Sequence, residues 1–154
     1  MTLKSIQKPI FLSFLLALFD NYIKYLIRVN NIQENEVIQN ILTIDLTYNT
    51  GIAFGLLSDR TSATFIISLI VLIWLIFQFS KVNDGSLEHY SLVLILGGAF
   101  GNLGERGYNL IFSNNGKVTD FIEFLFIPSF NLADFFISIG IFLLIISEFQ
   151  NKKS

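Results

Sequence analysis

The feature that most constrains this chain is a run of twenty residues, Thr61–Ser80, that contains no charged side chain. Isoleucine, leucine, valine and phenylalanine recur throughout the run. A helix rises about 1.5 Å per residue, so a run of this length spans the roughly 30 Å hydrocarbon layer of a bilayer. The run therefore predicts a transmembrane helix.

Three further segments predict helices of spanning length: residues 9–27, 87–105 and 131–147. The composition agrees, because 53% of the residues are hydrophobic and only 14% are charged. Soluble domains average about 25% charged residues, so this chain lacks the charge to cover a water-exposed surface. We therefore expect an all-α membrane protein with four transmembrane helices, forming a single domain over residues 1–154.

The composition also excludes several kinds of chemistry. The chain has no cysteine, which leaves no disulfide, thiolate metal site or cysteine nucleophile. Its one histidine, His89, cannot build a histidine metal site, and we expect it to be solvated in the short loop before the third helix. The net charge of −2 provides no basic face for nucleic acid. We therefore expect no metal, no cofactor and no nucleic-acid partner.

The segments between the helices predict a small β element on one side of the membrane. An even number of spans places both termini together, and a slight excess of basic residues on that side favours cytoplasmic termini. Apolar and polar residues alternate over Leu42–Tyr48, which is typical of a half-buried strand. Asn115-Gly116 predicts a hairpin turn. Both elements are then extracytoplasmic.

The polar residues within or beside the predicted spans all fall near that same membrane surface, because an odd helix ends where an even helix begins. Ionisable groups at membrane depth are costly and usually face a protein-lined site. The residues concerned are Asp20, Lys24, Asn49, Asn102, Glu105, Arg106 and Asp134.

Two spacings within the helices indicate structural contacts. Asp20 and Lys24 are four residues apart and so share a helix face, where they can form an ion pair. We interpret this pair as structural. Gly97 and Gly101 have the spacing of a small-residue helix interface, which favours close packing over a phosphate site.

Asp120 and Asp134 are the residues most suggestive of catalysis. The segment between them is short enough to fold back and bring the two carboxylates together. Two carboxylates in contact share one proton, so that one can activate a water while the other polarises a scissile carbonyl. The spacing alone leaves structural or transport carboxylates open, and with them a proton-coupled transporter or a structural membrane subunit.

Five segments, in this order, resemble the lipoprotein signal peptidase (signal peptidase II) family of bacterial inner-membrane aspartyl proteases. The segments are DNYIK (Asp20–Lys24), YNTGIAFG (Tyr48–Gly55), GGAFGNLGER (Gly97–Arg106), KVTDF (Lys117–Phe121) and FNLADFFISIG (Phe130–Gly140). The resemblance covers nearly the whole chain. It implies four helices with a small extracytoplasmic β-cradle, acting as a monomer in the bacterial inner membrane with the active site near its outer face. It also implies membrane lipid and diacylglyceryl-modified prolipoproteins as partners, cut before the lipidated cysteine.

Matched to the family's motifs, Asp120 and Asp134 are similar to its catalytic pair. Residues that match its substrate-binding or supporting positions are Asp20, Lys24, Asn49, Gly51, Asn102, Arg106 and Asn131. The family usually has aspartate where this chain has Glu105, so the supporting carboxylate here is one methylene longer.

Overall fold

Four long helices form the body of the part of the chain that the structure describes. The computed structural model describes residues 3–51 and 60–151, and the side chains of residues 7–51 and 60–150. The helices are α1 (Leu3–Val29), α2 (Thr61–Gln78, continued by a 3₁₀ turn at Phe79–Lys81), α3 (Leu87–Phe112) and α4 (Leu132–Asn151). Residues 52–59, which include the end of the YNTGIAFG segment, lie outside the described residues.

Three helices of the described part are long and apolar enough to cross a membrane, over Gln7–Val29, Thr61–Lys81 and Leu132–Gln150. Large apolar side chains on their surfaces are exposed, as expected for helices that face lipid. The predicted helix at 87–105 is present and continues to Phe112, but polar residues such as Glu105 and Arg106 lower its hydropathy. Its role as a fourth span therefore stays a prediction.

Helix α3 packs against the other three helices and relies on its small residues to do so. A Cβ atom added to Gly98 would lie 2.2 Å from the carbonyl oxygen of Ala133 in α4. A Cβ atom added to Gly101 would lie 2.8 Å from the carboxylate of Asp20 in α1, and one at Gly97 would meet Leu16 at 2.9 Å. The close packing predicted for Gly97 and Gly101 is confirmed.

Within residues 3–51 and 60–151, four strands form one antiparallel sheet in the order β1-β2-β3-β4, which joins the helices at one end. The strands are β1 (Asn35–Ile38), β2 (Leu42–Asn49), β3 (Val118–Phe124) and β4 (Ile127–Phe130). The alternation over Leu42–Tyr48 thus predicted β2 correctly. Strand β4 ends two residues before α4 begins, so the sheet leads directly into that helix.

Two local expectations are wrong. Asn115-Gly116 does not form a hairpin turn; it connects α3 to β3, with a positive φ of 59° at Gly116. His89 is not solvated: it lies in the first turn of α3, is 7% exposed and makes edge contacts with Phe79 and Tyr90. The ring is buried because the 3₁₀ turn after α2 places Phe79 against it.

Candidate active site

The β3–β4 hairpin brings Asp120 and Asp134 to the same place. Asp120 is the third residue of β3, and its side chain is buried. The chain then reverses through β4 and enters α4, whose first turn carries Asp134. The fold-back predicted between the two carboxylates is what the structure shows.

Asn131 binds both carboxylates. Its side-chain Nδ2 donates to Oδ1 of Asp120 at 2.6 Å, and its backbone N–H donates to Oδ2 of Asp134 at 3.3 Å. In return, the backbone N–H of Asp134 donates to Oδ1 of Asn131 at 3.0 Å. This reciprocal pair is a capping box at the start of α4. The helix cap therefore fixes the orientation of one carboxylate and holds the other beside it.

The environment of Asp120 favours its protonated form. Burial, and next the charge of Asp134, raise the pKa of Asp120 from its ordinary value near 3.8 to about 7. Hydrogen bonds from Asn49 and Asn131 and the charge of Lys24 oppose this rise. A carboxyl with such a pKa can hold or release a proton near neutral pH, which acid–base catalysis requires.

Arg106 fixes the backbone at the edge of the site. Its Nη2 donates to the carbonyl of Gly51 at 2.8 Å, and its Nη1 donates to those of Gly116 at 2.9 Å and Thr50 at 3.3 Å. Asn49 Oδ1 accepts from the Gly51 N–H at 2.8 Å, which leaves the Asn49 amide group to face Asp120. Arg106 therefore joins the end of β2 to the turn before β3.

Lys24 lies at the centre of a second polar group behind the carboxylates. Its Nζ is 2.8 Å from Asp20 Oδ2, as the four-residue spacing predicted, and 3.3 Å from Glu105 Oε2. It also donates to Oδ1 of Asn102 at 2.7 Å. Asn102 Nδ2 in turn donates to Oδ1 of Asp134 at 2.8 Å. Lys24 thus reaches the carboxylate pair through one asparagine.

Asp20 also bonds across the bundle. Its Oδ1 accepts from the backbone N–H of Ala133 at 2.9 Å, one residue before Asp134. The side chains of Asp20 and Lys24 are fully buried, so each requires the other. The hydrogen bond from Ala133 to Asp20 therefore connects α1 to the start of α4.

Sequence reasoning missed two residues, Arg28 and Thr119. Arg28 donates to both Glu105 Oε1 and Thr119 Oγ1, the latter at 2.8 Å. Arg28 follows Lys24 by four residues and so lies on the same face of α1, a signal that the sequence contained. Thr119 directly precedes Asp120 and offered no comparable pattern.

Within residues 3–51 and 60–151, no group of three or more acidic or histidine side chains is placed to hold a metal ion. The fold and the site together define a class: a helical membrane protein that holds two carboxylates, bridged by one asparagine, at one end of its helices.

The chain belongs to the signal peptidase II family. The family model Peptidase_A8, described as signal peptidase (SPase) II, matches residues 12–150. The protein is therefore a peptidase, and neither a transporter nor a purely structural subunit is favoured.

Individual relatives agree. A lipoprotein signal peptidase of Francisella tularensis subsp. novicida is 36% identical, and the match covers 95% of this chain and 94% of the relative. One from Pelagibacter ubique is 34% identical over 99% of this chain and 95% of the relative. A bacterial membrane enzyme solved by the in meso method at 2.3 Å superposes with a TM-score of 0.78 at 30% identity, covering 94% of this chain and 89% of that one.

Proposed function

We propose that this protein removes the signal peptide from diacylglyceryl-modified prolipoproteins, cutting before the lipidated cysteine, as an aspartic peptidase of the bacterial inner membrane. Asp120 and Asp134 are its catalytic residues. The observation that carries the proposal is the bridging of both carboxylates by Asn131, which holds the half-buried Asp134 beside the buried Asp120.

The charges around the pair support one shared proton. The polar cluster contains three cations and four carboxyl groups, so it is neutral when three carboxyls are ionised and one is protonated. Buried charge is costly unless it is balanced, and a site of this composition therefore favours a singly protonated pair. The members are Lys24, Arg28 and Arg106, with Asp20, Glu105, Asp120 and Asp134.

A singly protonated pair can carry out peptide hydrolysis. The ionised carboxylate removes a proton from a water molecule as that water attacks the scissile carbonyl carbon. The protonated carboxyl donates a hydrogen bond to the carbonyl oxygen and stabilises the charge that develops there. The pair then holds two protons. When the intermediate collapses and its C–N bond breaks, one of them passes to the leaving amine nitrogen, and the pair returns to a single proton.

The supporting residues keep this geometry fixed. Asn102 and Asn131 hold Asp134, while Asn49 and Asn131 hold Asp120. Fixed donors of this kind need no rearrangement during the reaction, which is how a preorganised site lowers a barrier. Asp20, Lys24, Glu105, Arg106 and Gly51 belong to this framework and do not touch the reacting atoms.

In this proposal the substrate reaches the site from the lipid bilayer. The helix at 87–105 is a fourth span, both termini are cytoplasmic and the sheet lies on the outer face, so the site meets the outer membrane surface. The acyl chains of the substrate remain in the bilayer while its peptide enters beside the sheet. Binding through these remote groups positions the scissile bond. A monomer contains every residue that the mechanism uses.

The test compares two forms of one precursor, with and without the diacylglyceryl group, incubated with the purified protein in lipid nanodiscs. We expect release of the signal peptide only from the modified form. Equal cleavage of both forms would contradict the proposed substrate class. Preparations of Asp134→Asn, purified in parallel, control for a contaminating peptidase.

A further inference from the structure

Thr119, the residue directly before Asp120, forms hydrogen bonds through its backbone N–H, its hydroxyl and its carbonyl oxygen. Its backbone N–H donates to Glu105 Oε2 at 3.1 Å, and its hydroxyl donates to Glu105 Oε1 at 2.6 Å. Its carbonyl oxygen accepts from Nδ2 of Asn131 at 3.2 Å, the same nitrogen that binds Asp120. Thr119 is fully buried, so water does not compete for these bonds.

Arg28 completes the arrangement from α1. Its Nη1 donates to the Thr119 hydroxyl oxygen at 2.8 Å and also binds Glu105. The Thr119 hydroxyl therefore accepts from a cation and donates to a carboxylate, and bonds to charged partners are stronger than neutral ones. We call the group formed by Arg28, Glu105 and Thr119 the strand tether.

The pairing of β3 with β2 becomes irregular directly after Asp120. Thr119 pairs with Tyr48 and Asp120 with Thr47, but the register shifts between Ile44 and Thr47. The irregular pairing begins at the residues opposite Asp120, where a regular ladder would otherwise hold the strand. The tether supplies a second restraint at that point, from two helices.

We infer that Thr119 is a positioning residue for the carboxylate pair, and that it acts through the strand tether by holding the Thr119–Asp120 peptide in register with Asn131. The inference rests on the proposed function. A loose tether moves Asp120 relative to Asn131 and so affects the chemical step rather than substrate binding. Small displacements of a reacting group are costly to the rate.

The experiment uses Thr119→Val, which keeps the shape of the side chain but removes the hydroxyl, and Thr119→Ser, which keeps the hydroxyl. Thr64→Val is the matched control, because Thr64 is a buried threonine in α2 whose hydroxyl, among the described residues, donates to a backbone carbonyl, that of Arg60, at 3.1 Å. For Thr119→Val we expect kcat to fall about tenfold with KM changed less than about twofold. Thr119→Ser should restore most of the loss, and Thr64→Val should retain wild-type kcat.

The pH profile gives a readout that a merely structural role would not move. When Asp120 loses its fixed contact with Asn131, its ionised form loses a donor, so the alkaline limb of kcat, along which the pair loses its shared proton, should shift to higher pH. The charged groups that face Asp120, namely Asp134 on α4, Arg106 on α3 and Lys24 on α1, are the same in every variant.

Arg28→Gln provides an independent variant should Thr119→Val fail to fold, because Arg28 is about one-third exposed. It should lower kcat in the same way, Arg28→Lys should recover part of the loss, and adding Thr119→Val should cost little more. Unchanged kcat in folded Thr119→Val or Arg28→Gln, or no rescue by Thr119→Ser, would overturn the inference. Asp120→Asn separates the two proposals, since cleavage by that variant would refute the proposed function whatever the Thr119 variants do.

Discussion

Replacing Asp120 with asparagine should make the protein more stable while it removes activity. Asparagine has nearly the same shape, and its oxygen can still accept the bond from Asn131. What it removes is a buried carboxyl group that must ionise as the pH rises. Catalytic groups are often held in places that are unfavourable for folding, and this substitution measures that cost directly.

The sign follows from the raised pKa. The folded protein binds the Asp120 proton more tightly than the unfolded chain, because the pKa changes from 3.8 to about 7 on folding. The wild-type protein therefore loses stability as the pH rises between these two values, whereas the Asp120→Asn variant does not. Between about pH 5 and pH 8 the free energy of unfolding should shift in favour of the variant by at most about 3 kcal/mol.

The assay is thermal unfolding of both proteins in the same nanodiscs across this pH range. We expect the melting temperature of Asp120→Asn, relative to wild type, to rise by roughly 5 °C or more from about pH 5 to pH 8. Asp45→Asn is the control, since Asp45 is only half-buried in the same sheet. A variant that is destabilised equally at every pH would refute the reasoning, because Asp120 would then act as a charged structural group.

Three further predictions concern packing, the ion pair and orientation. Gly98→Val should lower the melting temperature and the folded yield, because its added atoms meet the carbonyl of Ala133 in α4; wild-type stability of this variant would show that the helices can separate at no cost. Lys24→Met should lower the free energy of unfolding by about 3–5 kcal/mol because it leaves Asp20 buried and unpaired, and adding Asp20→Asn should recover part of the loss. Equal stability of wild type and Lys24→Met in chemical unfolding would contradict a tight pair. Because the chain has no cysteine, Asn115→Cys should react with a membrane-impermeant reagent from outside the cell, and a cysteine appended at the C-terminus should not; the reverse labelling would invert the topology.

Local patterns in the sequence were sufficient for the helices and for β2. The uncharged run at Thr61–Ser80 and the alternation over Leu42–Tyr48 are both formed by residues that are close together in the sequence. The predicted elements, α2 and β2, form where expected. Asn115-Gly116 was misread because the same dipeptide serves any turn that needs a positive φ, including one between a helix and a strand. The β3–β4 hairpin instead turns at Leu125, also at positive φ, which no turn signal marked.

Most residues of the candidate site could be predicted from the sequence, but fewer of the contacts between them could. The order of the helices predicted that the polar residues would gather at one end of the bundle, and helical spacing predicted the Asp20–Lys24 pair. Arg28 was missed although its spacing from Lys24 marked it, whereas the contact of the Thr119 hydroxyl with Glu105 joins two elements that only tertiary packing brings together. Contacts of this kind leave no periodic trace in a single sequence.

The burial of His89 was missed for a related reason. A histidine at the start of a helix reads as exposed, but α2 and its 3₁₀ turn place Phe79 against the ring. Burial at that position is decided by the neighbouring helix rather than by the local sequence.

The most direct measurement of the central claim is signal-peptide release from a diacylglyceryl-modified precursor by Asp120→Asn, by Asp134→Asn and by the double variant, each shown to be folded. The two carboxylates act as one unit in this account, so each single variant should lose turnover almost completely while still binding the precursor. The double variant should then be little worse than either single one. Near-normal cleavage by either folded single variant would contradict the claim, because that carboxyl group would have no part in the reaction.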